Sequence, residues 1–215
     1  MIKTGRGADI AFAIVVFAAY FAIFSAIMNI TVVDIVLLVI LGISYIVVGI
    51  YGYAFCARSG SLQLRLAYFI TQILMGSGIL YFGQGVGFGA VLLLPLVGHS
   101  VILLPQKWMV SVNLLIVAAY ITSIMVYVNG WSGLWSLLSI FLAGQVFVAF
   151  FTMMAVNEEK ARVKVEQMAE ELTMANERLR NYALQVEELA VTKERNRLAR
   201  EIHDGLGHYL TAVHM

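Results

Sequence analysis

Residues 150–168, FFTMMAVNEEKARVKVEQM, hold the boundary on which the fold turns. As far as Val156 the stretch is apolar; from Asn157 onward it carries Glu158, Glu159, Lys160, Arg162, Lys164 and Glu166. Upstream, residues 1–156 contain only Lys3, Arg6, Asp9, Asp34, Arg58, Arg65 and Lys107 as charged side chains, and all the others fall in 157–215. The chain is 61% hydrophobic and 13% charged, with two prolines. A soluble domain cannot hide that much apolar surface, so the composition indicates a membrane protein: an apolar block followed by a charged tail. The net charge of +1 carries no message of its own, and nothing in it suggests nucleic acid as a partner.

A helix needs about 20 mostly apolar residues to cross the hydrocarbon layer. Six segments of the block meet that requirement, at about 9–29, 32–54, 62–82, 87–104, 110–128 and 134–156. The breaks carry punctuation: Asn29, ARSGS at 57–61, GQGVG at 83–87, PQK at 105–107 and NGWSG at 129–133. Lys3 and Arg6, Arg58 and Arg65, Lys107, and Lys160 with Arg162 and Lys164 alternate with loops that hold no Lys or Arg. The positive-inside rule then places both termini in the cytoplasm. Tyr81, Phe82, Tyr127, Trp131 and Trp135 fall at the outer interface, and Trp108, Tyr51 and Tyr53 at the inner one. The run from Ile10 to Met28 has no small-residue cleavage pattern, which reads as a retained span, not a signal peptide. The single cysteine, Cys56, implies no disulfide scaffold.

The outer loops are too short to hold a ligand-binding domain, so a stimulus would be read in or near the bilayer. Asp34 falls near the outer start of the second span, where its charge costs less than at mid-membrane. His99 falls in the fourth span, with a kink expected at Pro95. Gln72, Asn113 and Gln145 are placed to hydrogen-bond between helices. For all of these, packing contacts within a bundle are the plainer reading. GQGVGFG at 83–89 lacks the Lys-Ser/Thr ending of a phosphate loop and faces outside, so a tight turn or close packing fits it better.

The tail has no Pro, and no Gly before Gly205. Val165, Met168, Leu172, Ala175, Leu179, Tyr182, Val186 and Leu189 are spaced alternately by three and four, an a/d seam over more than three heptads. The simplest partner for such a seam is the same segment of a second copy. The register breaks at Lys193 and Asn196 and resumes through Val191, Leu198 and Ile202, a local change of winding.

Beyond the break stands ERNRLAREIHDGLGHYL, residues 194–210. On a helical wheel Leu198, Ile202, Leu206, Tyr209 and Val213 form an apolar stripe, with His203 at its border. Arg197, Arg200, Glu201, Asp204 and His208 fall on the polar side. A neutral imidazole can act as a nucleophile, and a carboxylate beside it can orient the ring or take its proton. Chemistry alone leaves two readings open, an inert surface histidine and a reactive one. Asp204 and His208 have workable metal-ligand spacing but no third ligand, so no metal site is expected.

The same stretch resembles the H box of two-component sensor histidine kinases, in the subfamily partnered with NarL-type response regulators. The resemblance rests on Arg195, Arg197, Leu198, Ala199, Arg200, Glu201, Ile202, His203, Asp204, Leu206, Gly207 and His208. It implies that His203 is the phosphoacceptor, that Asp204 is the base activating it, and that Asp204 and His208 orient water when the regulator is dephosphorylated. Many members carry Gln where this chain has His208.

The expected architecture is an all-α membrane protein in three parts. These are a six-helix transmembrane sensor at 1–156, a coiled-coil signalling helix at 157–192, and the start of the dimerisation and phosphoacceptor domain at 193–215. The expected partners are a second copy through 157–215, a NarL-type response regulator and membrane lipids, in a bacterial cytoplasmic membrane. No cofactor is expected in this chain: ATP and Mg belong to a C-terminal nucleotide-binding domain that the sequence lacks, so the chain by itself is expected to be inactive. Two other readings stand beside this one, a non-enzymatic membrane regulator of a full-length kinase and a transporter with a coiled-coil tail.

Overall fold

The computed structural model describes residues 6–27, 31–84, 87–128 and 130–213, with side chains described over 10–27, 31–84, 89–128 and 130–202. All regular elements among the described residues are helical. The chain divides into two units, Met1–Asn157 and Glu158–Met215.

In the first unit, helix α1 spans Arg6–Ala26. Helix α2, Val32–Val47, is started by a capping box: the Asp34 amide donates to Thr31 Oγ1, and the Asp34 carboxylate accepts from the Thr31 amide. α2 runs through a π-helical turn, Val48–Gly52, into α3, Tyr53–Arg58. The wider turn brings glycine against neighbouring rings, and a Cβ at Gly49 would collide with the Phe12 ring. Helix α4 spans Leu62–Phe82. Its end is turned by Gln84 at φ 59°, beside a Gly83 whose Cβ would lie 2.8 Å from the Ile79 carbonyl. This supports the close-packing reading of the glycine run; residues 85 and 86 lie outside the described ones.

A 3₁₀ segment, Gly87–Leu93, leads into α5, Leu94–Leu103. Pro95 sits in the first turn of α5, where its missing N–H has no partner to lose. The kink expected at this proline is therefore a junction between two helix types. Helix α6, Gln106–Ile124, begins directly after Pro105, which shifts the expected fifth span about four residues toward the N-terminus. Helix α7 starts at Gly130, at φ 80°, and runs to Val213.

Among the described residues, four helices are long and apolar enough to cross a membrane: Val32–Arg58, Leu62–Phe82, Gln106–Ile124 and the apolar start of α7. They mark a membrane protein. Ile10–Ala26 and Gly89–Leu103 are apolar but shorter. One buried cluster joins Phe12, Val16 and Ile23 of α1 to Leu38 and Tyr45 of α2 and Ile79 of α4. A second gathers Phe69, Leu96, Ile116, Tyr120 and Phe141 from α4 to α7. Tyr53 departs from its expected place in the interfacial belt. It is only 3% exposed and packs in this core, whereas Tyr51, Trp108, Trp131 and Trp135 are exposed.

The second unit is the rest of α7. Each described side chain from Glu158 to Ile202 is exposed.

Candidate functional site

Several polar residues of the first unit start helices or hold them together. Asp34 completes the α2 cap and accepts from Thr31 Oγ1 at 2.7 Å, so its carboxylate serves the helix start. Gln72 Nε2 of α4 donates to the Tyr45 carbonyl of α2 at 3.1 Å. Gln145 of α7 donates to the Asn113 carbonyl and Oδ1, both at 3.0 Å, and Asn113 donates to Ser100 Oγ at 2.8 Å. These are the interhelical bonds expected of the three amides. Cys56 is buried.

His99 of α5 is enclosed by aromatic rings from three other helices. It shares a 2.8 Å hydrogen bond with the Tyr68 hydroxyl through Nδ1. Its ring lies 4.2 Å from that of Tyr53 and 5.5 Å from that of Phe12. The histidine is legible in the sequence; its partners are not, because they come from elements 31 to 87 residues away.

Arg65 has a role that its reading as a topology-setting charge misses. Its guanidinium donates to the carbonyls of Leu103 at 2.7 Å, Ser59 at 3.1 Å and Cys56 at 3.4 Å. It thereby satisfies the C-terminal carbonyls of both α3 and α5, where helix dipoles favour a cation. Arg65→Ala is expected to cost about 1.5–3 kcal/mol, the range for hydrogen bonds to a charged group. Thermal unfolding in detergent checks this, and Arg65→Lys should recover only part, since one ammonium cannot reproduce the fork.

On the tail, the seam residues Val165, Met168, Leu172, Leu179, Tyr182, Val186 and Leu189 are each more than half exposed. Further along, Arg197 lies between Glu194, at 2.6 Å, and Glu201, at 3.0 Å. Its guanidinium holds the Glu194 carboxyl below the usual carboxylate range. The exposure of all three makes this local support for the helix. Arg200 Nε donates to the Asn196 carbonyl at 3.2 Å.

The backbone of α7 stays helical through His203, Asp204 and His208 despite Gly205 and Gly207. Helical register puts His203 and Asp204 on adjacent positions and His208 one turn beyond Asp204. The side chains of these three residues lie outside the described ones. Leu198 and Ile202, the start of the apolar stripe, are both exposed. Among the described residues no three His, Cys, Asp or Glu side chains gather as a metal site would need.

Comparison with known proteins bears on this end of the chain. A family model described as histidine kinase matches residues 194–215. The sensor histidine kinase LnrJ of Bacillus subtilis (strain 168) is 44% identical over 59 residues, which cover 26% of this chain and 15% of that protein. The match thus reaches a minor part of the relative's length. No solved structure matches the chain significantly. Over residues 194–215, which include His203, the chain is thus similar to histidine kinases, and over 59 residues it is similar to a sensor histidine kinase.

Proposed function

We propose that this chain forms the membrane-sensing and phosphoacceptor part of a two-component sensor kinase, with His203 as the residue that receives phosphate. The observation that carries the proposal is the family match over residues 194–215, which contains His203, Asp204 and His208. In the step proposed, a ring nitrogen of His203 attacks the γ-phosphorus of ATP. The N–P bond forms as the bond to ADP breaks, and the ring proton passes to Asp204. ATP and its Mg are held by a kinase nucleotide-binding domain, and we assign no residue of this chain to them. The phosphoryl group then passes to an aspartate of a response regulator, of the NarL type by resemblance. Asp204 and His208 orient water when that regulator is dephosphorylated.

In the proposed topology α1 to α7 cross the membrane six times, with α2 and α3 making one span and both termini cytoplasmic. Length supports the two short members. The apolar part of α1, Ile10–Ala26, extends about 26 Å at 1.5 Å per residue, within a few ångströms of the ~30 Å hydrocarbon layer. The 3₁₀ segment and α5 together extend about 29 Å, because a 3₁₀ helix rises about 2.0 Å per residue. A bilayer or envelope stimulus moves these helices, and α7 carries the movement to His203 as a dimeric coiled coil.

The test is phosphorylation in trans. The chain, in membrane vesicles, is mixed with labelled ATP and a full-length kinase of this family. Label that is stable in alkali and removed by acid is expected on this chain, and none without the added kinase. Failure to label the chain with a kinase that labels itself would overturn the phosphoacceptor assignment.

A further inference from the structure

We infer that the groove between α6 and the apolar start of α7 binds a small uncharged amphiphile. Its hydroxyl donates to Gln145 Oε1, and its apolar body lies along Val110, Leu114, Val117, Leu142 and Val146. The inference rests on the membrane-borne stimulus proposed above and names a chemical class for it. Binding is measured without phosphate transfer, so its failure would leave His203 as the proposed acceptor.

The observation that points to a ligand is an acceptor without a donor. Gln145 is 7% exposed, and its Nε2 uses both protons, on the Asn113 carbonyl and on Asn113 Oδ1, each at 3.0 Å. Its Oε1 is buried and has no hydrogen-bond partner among the described residues. Flipping the amide gives no relief, because it would set Oε1 against those same two acceptors. Asn113 is held in its own orientation, with Nδ2 donating to the Met109 carbonyl and to Ser100 Oγ, both at 2.8 Å. The ladder from α5 through α6 therefore ends on α7 in one acceptor that still lacks a donor.

Gln145 and Asn113 line a groove of about 280 Å³ whose other walls are apolar. Val110, Leu114 and Val146 among those walls are half or more exposed, so the groove opens on the outside of the bundle. In the proposed topology Gln145 is the middle residue of the span 134–156, about 16 Å from either end at 1.5 Å per residue. At that depth there is no water to pair with an orphaned carbonyl. Phospholipid donors stay with the headgroups at the interface, and the acyl chains that reach the midplane carry none. A charged guest would bear the cost of a mid-membrane charge with only an amide opposite it. The molecule that fits is uncharged, partitions into the bilayer and brings a hydroxyl with it. At the ~30 Å³ that a water molecule occupies in the liquid, the groove holds about nine non-hydrogen atoms, the size of an eight-carbon alcohol.

The test is photolabelling of the full chain in phosphatidylcholine vesicles, with an eight-carbon alcohol that carries a diazirine on its chain. Mass spectrometry is expected to place the label on the groove residues of α6 and α7. Octan-1-ol should displace it roughly tenfold better than 1-methoxyheptane at equal concentration in the membrane, the factor that one hydrogen bond to a buried acceptor supplies. The ether matches the alcohol in size and has no donor. Gln145→Leu should abolish that preference. Ala149→Phe fills the groove one turn along α7 from Gln145, leaves both amides in place, and should abolish the label. Equal displacement by alcohol and ether in the unaltered chain would overturn the inference whatever the variants do. So would label outside the groove, label that survives Ala149→Phe, or a preference that survives Gln145→Leu. Each of these outcomes means that lipid, a buried water or another helix serves the groove and Gln145 instead.

Discussion

Leu172→Lys combined with Leu179→Lys is expected to convert the chain from dimer to monomer, weakening association by at least about four powers of ten. Both leucines are 65% exposed in the single chain, so their burial depends on a partner helix. Covering a leucine contributes about 1.5–3 kcal/mol. Two positions in two copies lose about 6 kcal/mol at the lower bound, which is about four decades in a dissociation constant at 1.4 kcal/mol each. Facing ammonium groups add repulsion to that loss. The matched control is Gln167→Lys with Asn181→Lys, which adds the same charge away from the seam. Subunit counting by photobleaching of single fluorescent chains in vesicles checks the result. A dimer fraction unchanged by the leucine pair, or lowered equally by the control pair, would show that the seam does not hold the copies together.

That seam can be read without any structure because its information is local: a repeat of three and four along one helix, with nothing distant required. The division into an apolar unit and a charged tail is legible for the same reason. The capping box of α2 is also written plainly, as Thr31 and Asp34 three apart before an apolar run, although Asp34 draws attention first as a charge near the membrane. What the sequence could not show was convergence. Tyr53 resembles an interfacial tyrosine until it is seen to pack on His99, the imidazole that Tyr68 and Phe12 also meet. Arg65 looks like a topology-setting charge until the ends of α3 and α5 come within reach of one guanidinium. Apolar windows also set the length of a span without its helix type. The 3₁₀ start before Pro95 has the same hydropathy as an α-helix but rises faster per residue. Around His203 the balance reverses. The motif is legible from residue identities, and the structure contributes a continuous helical backbone through it.

Within that helix, His203→Gln is expected to abolish labelling in trans, and Asp204→Asn to slow it by about 10²–10⁴-fold, the usual contribution of a positioned general base. The two substitutions separate two roles. A glutamine in place of His203 has no ring nitrogen to form the N–P bond, so no label should accumulate at any time. In the Asp204→Asn variant the nucleophile remains and only the proton acceptor is gone, so label should accumulate slowly toward the wild-type level. Each change should leave the dimer fraction near wild type, because His203 lies at the border of the apolar stripe and Asp204 on its polar side. Time courses of acid-labile phosphate on each variant, with a self-labelling kinase as donor, supply the measurement. Full labelling of His203→Gln would move the phosphoacceptor elsewhere. An Asp204→Asn rate equal to wild type would leave His203 as acceptor and remove Asp204 as its base.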